Sequence, residues 1–222
     1  MITVHHLERS RSQRVLWLLE ELGLEYELKR YPRDPKTLFA PPSLREVHPL
    51  GKSPIVVDGD ITVAESGAIL EYLIERHGSG RFAPAPGTPE RLRYNYWLHY
   101  AEGSVMPLLL MGLVAERIRS APAPFFVRPV TRNIAHRLAR GYVAPQLDRH
   151  LDYVERELAG RTWLVGDELT AADIQMSYPV EAVASRGGLG TRPNLTRFLE
   201  AIRARPAYRR ALDRGGPVNL PV

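Results

Sequence analysis

Two short stretches carry residues whose types and spacing can do chemistry: "GKSPIVV" (Gly51 to Val57) and "VAESGAILEYL" (Val63 to Leu73). In the first, Pro54 stands directly before an apolar, β-branched run. Proline has no N–H to give a sheet ladder, so it is confined to strand starts and edges. A cis bond at such a proline bends the backbone and exposes the N–H and C=O of Ser53. Those groups can pair with an extended, peptide-like ligand as a miniature strand addition. The plainer alternative is that Pro54 merely starts the strand. In the second stretch, Glu65-Ser66 ends a strand where a helix begins. Ser66 is placed to cap that helix, and the unpaired N–H groups of a helix start attract a carboxylate. Glu65 beside it suits an ammonium. Together the two match the head group of an α-amino acid; the alternative is an ordinary N-cap.

What the chain lacks narrows the chemistry. It has no cysteine, which excludes disulfides, thiolate metal sites and any mechanism using a protein thiol. A thiol, if one reacts here, must arrive on the substrate. His5 and His6 are adjacent on a strand, so they point to opposite faces and cannot jointly chelate; no metal is expected. No neighbouring His-Asp pair points to a hydrolase triad. Thr170 and Asp173 in "WLVGDELTAADI" form a capping box, with Leu169 and Ile174 as its hydrophobic staple, and this reads as structural. Tyr96 and Tyr100 share a helix face with Trp97 nearby, which suits core or dimer contact.

These residues need elements to position them. "ITVHHL" (Ile2 to Leu7) reads as a strand. "SQRVLWLLEELG" follows with apolar residues at helical spacing and Gly23 as its stop. "YELKRY" is a second strand, and "SLREVHP" a helical turn starting at Ser43. "IVVDGD" and "ITVAE" are two strands joined at an Asp58-Gly59 turn, and "SGAILEYLIERHG" is a helix ended by Gly78. One mixed four-stranded sheet satisfies this order. Residues 79–88, "SGRFAPAPGT", form a linker. Pro89 then opens a long helix with a kink expected at Pro107, a second covers about Val130 to Leu158, and two more fall near Ala171 to Ser185 and Asn194 to Arg203. No internal repeat is evident. The expected architecture is a small α/β domain over residues 1–80 and an all-α domain over residues 88–222.

Composition agrees with an ordinary globular chain of 222 residues, 44% hydrophobic and 25% charged. The net charge is +5, carried almost wholly by arginine, since the only lysines are Lys29, Lys36 and Lys52. The arginines are interleaved with acids, as in "LDRHLDYVERELAGR", and lack a basic patch threaded with aromatics. A mildly anionic small ligand fits this balance better than nucleic acid. No run of about 18 apolar residues stands out, so no membrane span is expected. The N-terminus lacks a basic start followed by a long apolar stretch, so the expectation is a soluble, cytoplasmic protein.

The strand and helix order, with a proline before the third strand and an all-helical region after it, resembles a cytosolic-type glutathione transferase of the bacterial and fungal branch. "ERSRSQRVLWLLEELGLEYEL", "HPLGKSPIVV", "VAESGAILEYL" and "TWLVGDELTAADI" carry the resemblance in that order, from Ile2 to about Ala211. It implies a thioredoxin-like N-terminal domain, glutathione as co-substrate and a homodimer. It implies that Ser53 pairs by its backbone with the cysteinyl unit of glutathione, that Glu65 and Ser66 grip the γ-glutamyl head group, and that Lys52 meets the glycine carboxylate. Glu102 is a further candidate for the ammonium, from the same subunit or across a dimer interface. In serine-type members a hydroxyl four residues before an arginine donates to the glutathione thiolate. Ser10 and Arg14 keep that spacing; Ser12 and Arg11 are the alternatives. The implied reaction is addition of the thiolate to an electrophilic, mostly apolar substrate held between the domains, against the helix around Met106 to Met111. A non-catalytic interaction module and glutathione-dependent peroxide reduction are the alternatives.

Overall fold

A computed structural model gives the structure of residues 1–218. β1 (Ile2–Leu7) is almost wholly buried because it is an inner strand of a four-stranded sheet of order β2-β1-β3-β4. β2 (Tyr26–Tyr31) runs parallel to it, with Ile2 opposite Tyr26. β3 (Ile55–Asp58) and β4 (Ile61–Ala64) are each antiparallel to the strand before them in the sheet order. The parallel pair needs a helical crossover, and α1 (Gln13–Leu22) supplies it. The antiparallel pair closes more tightly. Asp58 pairs with Ile61, so the central turn residues are Gly59 and Asp60, one position later than the expected Asp58-Gly59. Gly59 explains the shift, since the first central position has φ of 61°.

α1 ends at Gly23 in the left-handed region, as expected. Its Val15, Leu16, Trp17, Leu18 and Leu19 are all fully buried. Five successive positions face every direction around a helix, so this middle part of α1 lies inside the protein. After α2 (Leu44–Val47) and α3 (Ser66–His77), Thr88 caps α4 (Pro89–Tyr100), its hydroxyl accepting from Arg91 N at 3.2 Å. Ser66 is the first residue of α3, and the cap position belongs to Glu65; the expected N-cap is displaced by one residue.

The kink expected at Pro107 is a π-helical turn, Ala101–Val105, before α5 (Met106–Ser120). The helix expected over 130–158 is likewise two, α6 (Arg128–Leu138) and α7 (Ala144–Glu157), joined by a π-helical turn at Ala139–Val143. The two breaks share a pattern the sequence reading passed over: "AEGSVMPLL" and "ARGYVAPQL". In each, proline has no N–H to return, and its ring crowds the carbonyl four residues back. That residue is Gly103 or Gly141. The residue before each proline instead donates five residues back, Met106 to Ala101 and Ala144 to Ala139, which widens the helix.

α8 (Ala171–Ala184) is buried from Ala171 to Val183 and forms the axis of the helical part, followed by α9 (Pro193–Ala204) and α10 (Pro206–Gly215). α10 was not foreseen. Its buried side is made of small residues and one tyrosine, Ala207, Tyr208, Ala211 and Gly215, set among arginines. α1 packs against α3, α8 and α10, so one apolar core runs from Val4 through Trp17 to Ile174 and Tyr208. The continuous helical stretch Pro89–Ser120 contains an 18-residue window of mean hydropathy 1.3, long and apolar enough to cross a membrane, which the search for an unbroken apolar run did not anticipate. Its Leu98, Ala101, Val105 and Leu109 pack into this core.

Candidate active site

A cleft of about 490 Å³ opens where the start of α1, the Ser53–Pro54 turn and the start of α3 face α5. Ser10, Arg11, Lys52, Ser53, Pro54, Glu65 and Ser66 all line it. Ser12 does not: it is fully buried behind Ser10. The facing wall is apolar, with Met106, Leu109, Leu110, Leu113 and Val114 of α5, and Tyr178 of α8 beside them.

The Ser53–Pro54 bond is cis. Ser53 Oγ donates to His5 O at 2.9 Å and accepts from Leu7 N at 3.1 Å, so its side chain is tied to the end of β1. Its backbone N–H and C=O pair with no other backbone group among the described residues. At the start of α3, Glu65 is exposed and has φ of 72°, a costly conformation for a side-chain-bearing residue and one that clusters at ligand sites. The first backbone bond of α3 runs from Ile69 N to Glu65 O, which leaves the preceding N–H groups free for an anion. Ser66 Oγ accepts from Arg14 Nη2 at 3.1 Å and Gln175 Nε2 at 3.3 Å. With both lone pairs used, its own hydrogen is left to donate.

Arg14 is the buried charge behind this corner, 1% exposed. Besides Ser66 it donates to Glu102 Oε1 at 2.5 Å and to Gln175 O at 2.8 Å, and it lies 5.3 Å from the Tyr178 ring centre. Arg11 reaches the same Glu102 carboxylate at 2.9 and 3.1 Å. Burial pushes the Glu102 carboxyl up, but Arg14 and Arg11 outweigh it and hold the group below the ordinary carboxylate range. Glu102 is thus spoken for by two arginines of its own chain.

The loop hydroxyls form a row. Ser10 Oγ lies 2.7 Å from Ser12 Oγ, which lies 2.7 Å from His6 Nδ1, and His6 Nε2 lies 2.8 Å from Gly215 O. No group of three or more histidine, aspartate or glutamate side chains among the described residues is arranged to hold a metal.

The cleft thus has a polar side, formed by the α1 loop, the Ser53–Pro54 turn and the start of α3, and an apolar side on α5. The model of the glutathione S-transferase N-terminal domain matches residues 1–75, and that of the C-terminal domain residues 136–206. Over 216 residues the chain is 37% identical to glutathione S-transferase 3 of Schizosaccharomyces pombe, covering 96% of this chain and 88% of that one. The chain belongs to the glutathione S-transferase family. This glutathione transferase has the fold of a glutathione S-transferase from Actinobacillus pleuropneumoniae, with a TM-score of 0.82 and 38% identity over 97% of this chain and 93% of that one. It is also 29% identical over 220 residues to the disulfide-bond oxidoreductase YfcG of Escherichia coli, covering 96% and 94% of the two chains.

Sequence reasoning about this transferase missed three contributors. Arg14 served only as a spacing marker, yet it organises Ser66 and Glu102. Tyr178, in a helix that was foreseen, and Phe39 line the cleft with no motif to mark either as a site residue. Glu102 was flagged but its partners were not; its place in the π-helical turn is the feature that the Gly103–Pro107 spacing encodes.

Proposed function

We propose that this glutathione transferase lays glutathione along the polar side of the cleft and adds its thiolate to an electrophilic, mostly apolar substrate held against α5. Glu65 takes the ammonium of the γ-glutamyl head group, and Ser66 with the free N–H groups of α3 takes its carboxylate. The unpaired backbone of Ser53 pairs with the cysteinyl unit, and Lys52 meets the glycine carboxylate as a point charge. The thiol then falls near Ser10 and Arg11. A free thiol has a pKa near 8.5, so moving it down two units takes about 2.7 kcal/mol. One hydroxyl donor and the field of a nearby guanidinium supply that order of energy. Ser12 acts only through Ser10.

The observation that carries this reading is convergence: two segments nominated from their residue types and a third from the family resemblance meet in one cleft whose opposite wall is apolar. Lys52, Pro54, Glu65 and Ser66 all line it, which supports a glutathione-binding enzyme over a non-catalytic module. Titration calorimetry with glutathione tests the polar half. Glu65→Ala and Ser66→Ala should each weaken binding about 10- to 100-fold, the worth of one hydrogen bond to a charged group. Equal affinity in both variants would remove the head-group assignment. Thioether formation with an aromatic electrophile tests the apolar half.

A second reading, glutathione-dependent reduction of a peroxide, draws on the similarity to an oxidoreductase and on the absence of protein cysteine, since either reaction must use the sulfur of glutathione. Formation of glutathione disulfide from a hydroperoxide, faster than thioether formation, selects it.

A further inference from the structure

The row that begins at Ser10 has a direction, and His6 sets it. Gly215 offers a carbonyl, which only accepts, so His6 Nε2 carries a hydrogen. A neutral imidazole then has a lone pair on Nδ1, and Ser12 must donate to it. With its hydrogen so placed, Ser12 can only accept from Ser10. Ser10 therefore points its hydrogen inward, accepts from Ser12 N at 3.3 Å, and turns its remaining lone pair to the cleft. In that state it welcomes a thiol S–H and opposes a thiolate. Protonation of His6 at Nδ1 reverses every bond: imidazolium to Ser12, Ser12 to Ser10, Ser10 into the cleft.

We propose that His6 is a positioning residue that takes up the proton lost by the bound thiol and so turns Ser10 into a donor to the thiolate. The inference rests on the glutathione site proposed above. The step balances within the site. The S–H bond breaks as a Ser10 O–H bond forms, the original Ser10 hydrogen passes to Ser12, and the original Ser12 hydrogen passes to His6 Nδ1. A neutral thiol and a neutral imidazole become a thiolate and an imidazolium with no change of net charge. After the C–S bond forms, the proton returns along the same row to the anion that addition leaves on the substrate, or to the group expelled where the reaction is a substitution.

The surroundings of His6 suit this work. Burial lowers its pKa from the ordinary value, which keeps it neutral at rest and works against the imidazolium. The Gly215 carbonyl works the other way. It lies at the C-terminal end of α10, where carbonyls lack helix partners and the helix dipole is negative. Of the charged groups nearby, Arg30 of β2 opposes the imidazolium and Glu8 at the end of β1 favours it; Gln13 of α1 is neutral. Glycine is needed for this approach. A Cβ at Gly215 would lie 2.3 Å from Gln13 Oε1, 2.5 Å from Leu16 Cδ1 and 3.2 Å from His6 Cε1.

Nitrogen NMR of the intact protein labelled at histidine nitrogen reads the proposal directly. His6 should be the Nε2–H tautomer in the free protein and doubly protonated with glutathione, but unchanged with S-methylglutathione, which has no thiol. Thiolate absorbance in the same samples should rise with no matching proton release to an indicator dye. His6→Gln, which keeps hydrogen-bonding capacity but takes no proton, should bind glutathione and raise the thiol midpoint by about one pH unit or more. Ser12→Ala should abolish the His6 response. Thiolate absorbance with an unprotonated Nδ1 and one proton released per thiolate would overturn the relay and leave the binding site standing. An Nδ1–H tautomer in the free protein would also overturn it. Failure to bind glutathione in calorimetry strikes the site itself, and the relay with it. If His6→Gln does not fold, the wild-type spectra decide alone.

Discussion

Arg14 keeps its charge almost entirely out of water, and contacts from three segments hold it there: Ser66 at the start of α3, Glu102 in the π-helical turn and the Gln175 carbonyl of α8. An ion taken out of water costs several kcal/mol unless a partner and hydrogen bonds replace the hydration. Glu102→Gln keeps the shape and removes the countercharge, so it should destabilise the fold by about 3–5 kcal/mol in chemical denaturation. A loss under 1 kcal/mol would mean that Ser66 and the carbonyl suffice. At Ser10 the expected effect is catalytic. Removing one donor to a developing anion costs about 3–4 kcal/mol at most. Ser10→Ala should therefore raise the pKa of bound glutathione, lower kcat near neutral pH, and lose that deficit as the pH approaches the thiol's own pKa. An unchanged thiolate midpoint would move the role to Arg11 or to backbone N–H groups.

At the scale of elements, helix starts do most of the positioning. α3 begins with Glu65 held at positive φ, which brings an exposed carboxylate and unpaired N–H groups to one edge of the cleft. α8 begins with the capping box foreseen in the sequence. Asp173 accepts from Thr170 N and Thr170 Oγ1, both at 2.9 Å, and from Leu164 N at 2.7 Å. Burial raises its pKa from 3.8 to about 6, partly offset by those donors. The sign follows from linkage. Between pH 4 and 6 the folded state holds a proton that the unfolded chain has released, so stability falls as pH rises through that window and is level above it. Two units amount to about 3 kcal/mol. Asp173→Asn should flatten this part of the stability profile, measured by denaturation at pH 4, 5, 6 and 7. A wild-type slope of the opposite sign would show that the cap hydrogen bonds outweigh burial.

For the whole molecule, one core ties the sheet to the helices through α1, α8 and α10, so the cleft lies between parts that cannot separate without exposing it. That rigidity suits a site assembled from distant segments. The family resemblance implies a symmetric homodimer, and a self-complementary two-fold contact is the usual closed solution. Tyr96, 45% exposed and stacked on Tyr100, is a large aromatic left on the surface. Light scattering at micromolar concentration should give about twice the chain mass of 25.1 kDa. A mass near one chain would exclude the dimer.

The sequence by itself determined the local events, because local rules govern them. Strand and helix periods, the glycine stop of α1, the proline before β3 and the capping box of α8 each depend on a few neighbouring residues. Those same neighbours singled out Ser53, Pro54, Glu65 and Ser66, and the family resemblance added Lys52. Tertiary structure decided what requires two distant segments to meet. Ser10 and Ser12 are near twins in the chain, and only packing puts one on the cleft and the other against His6. Arg14, Glu102, Ser66 and Gln175 share no local pattern, yet a buried guanidinium needs its donors satisfied and gathers them from across the fold. α10 escaped notice because small residues make its buried side. Its last residue, a glycine with no Cβ to collide, brings a carbonyl onto His6, 209 residues away in the chain.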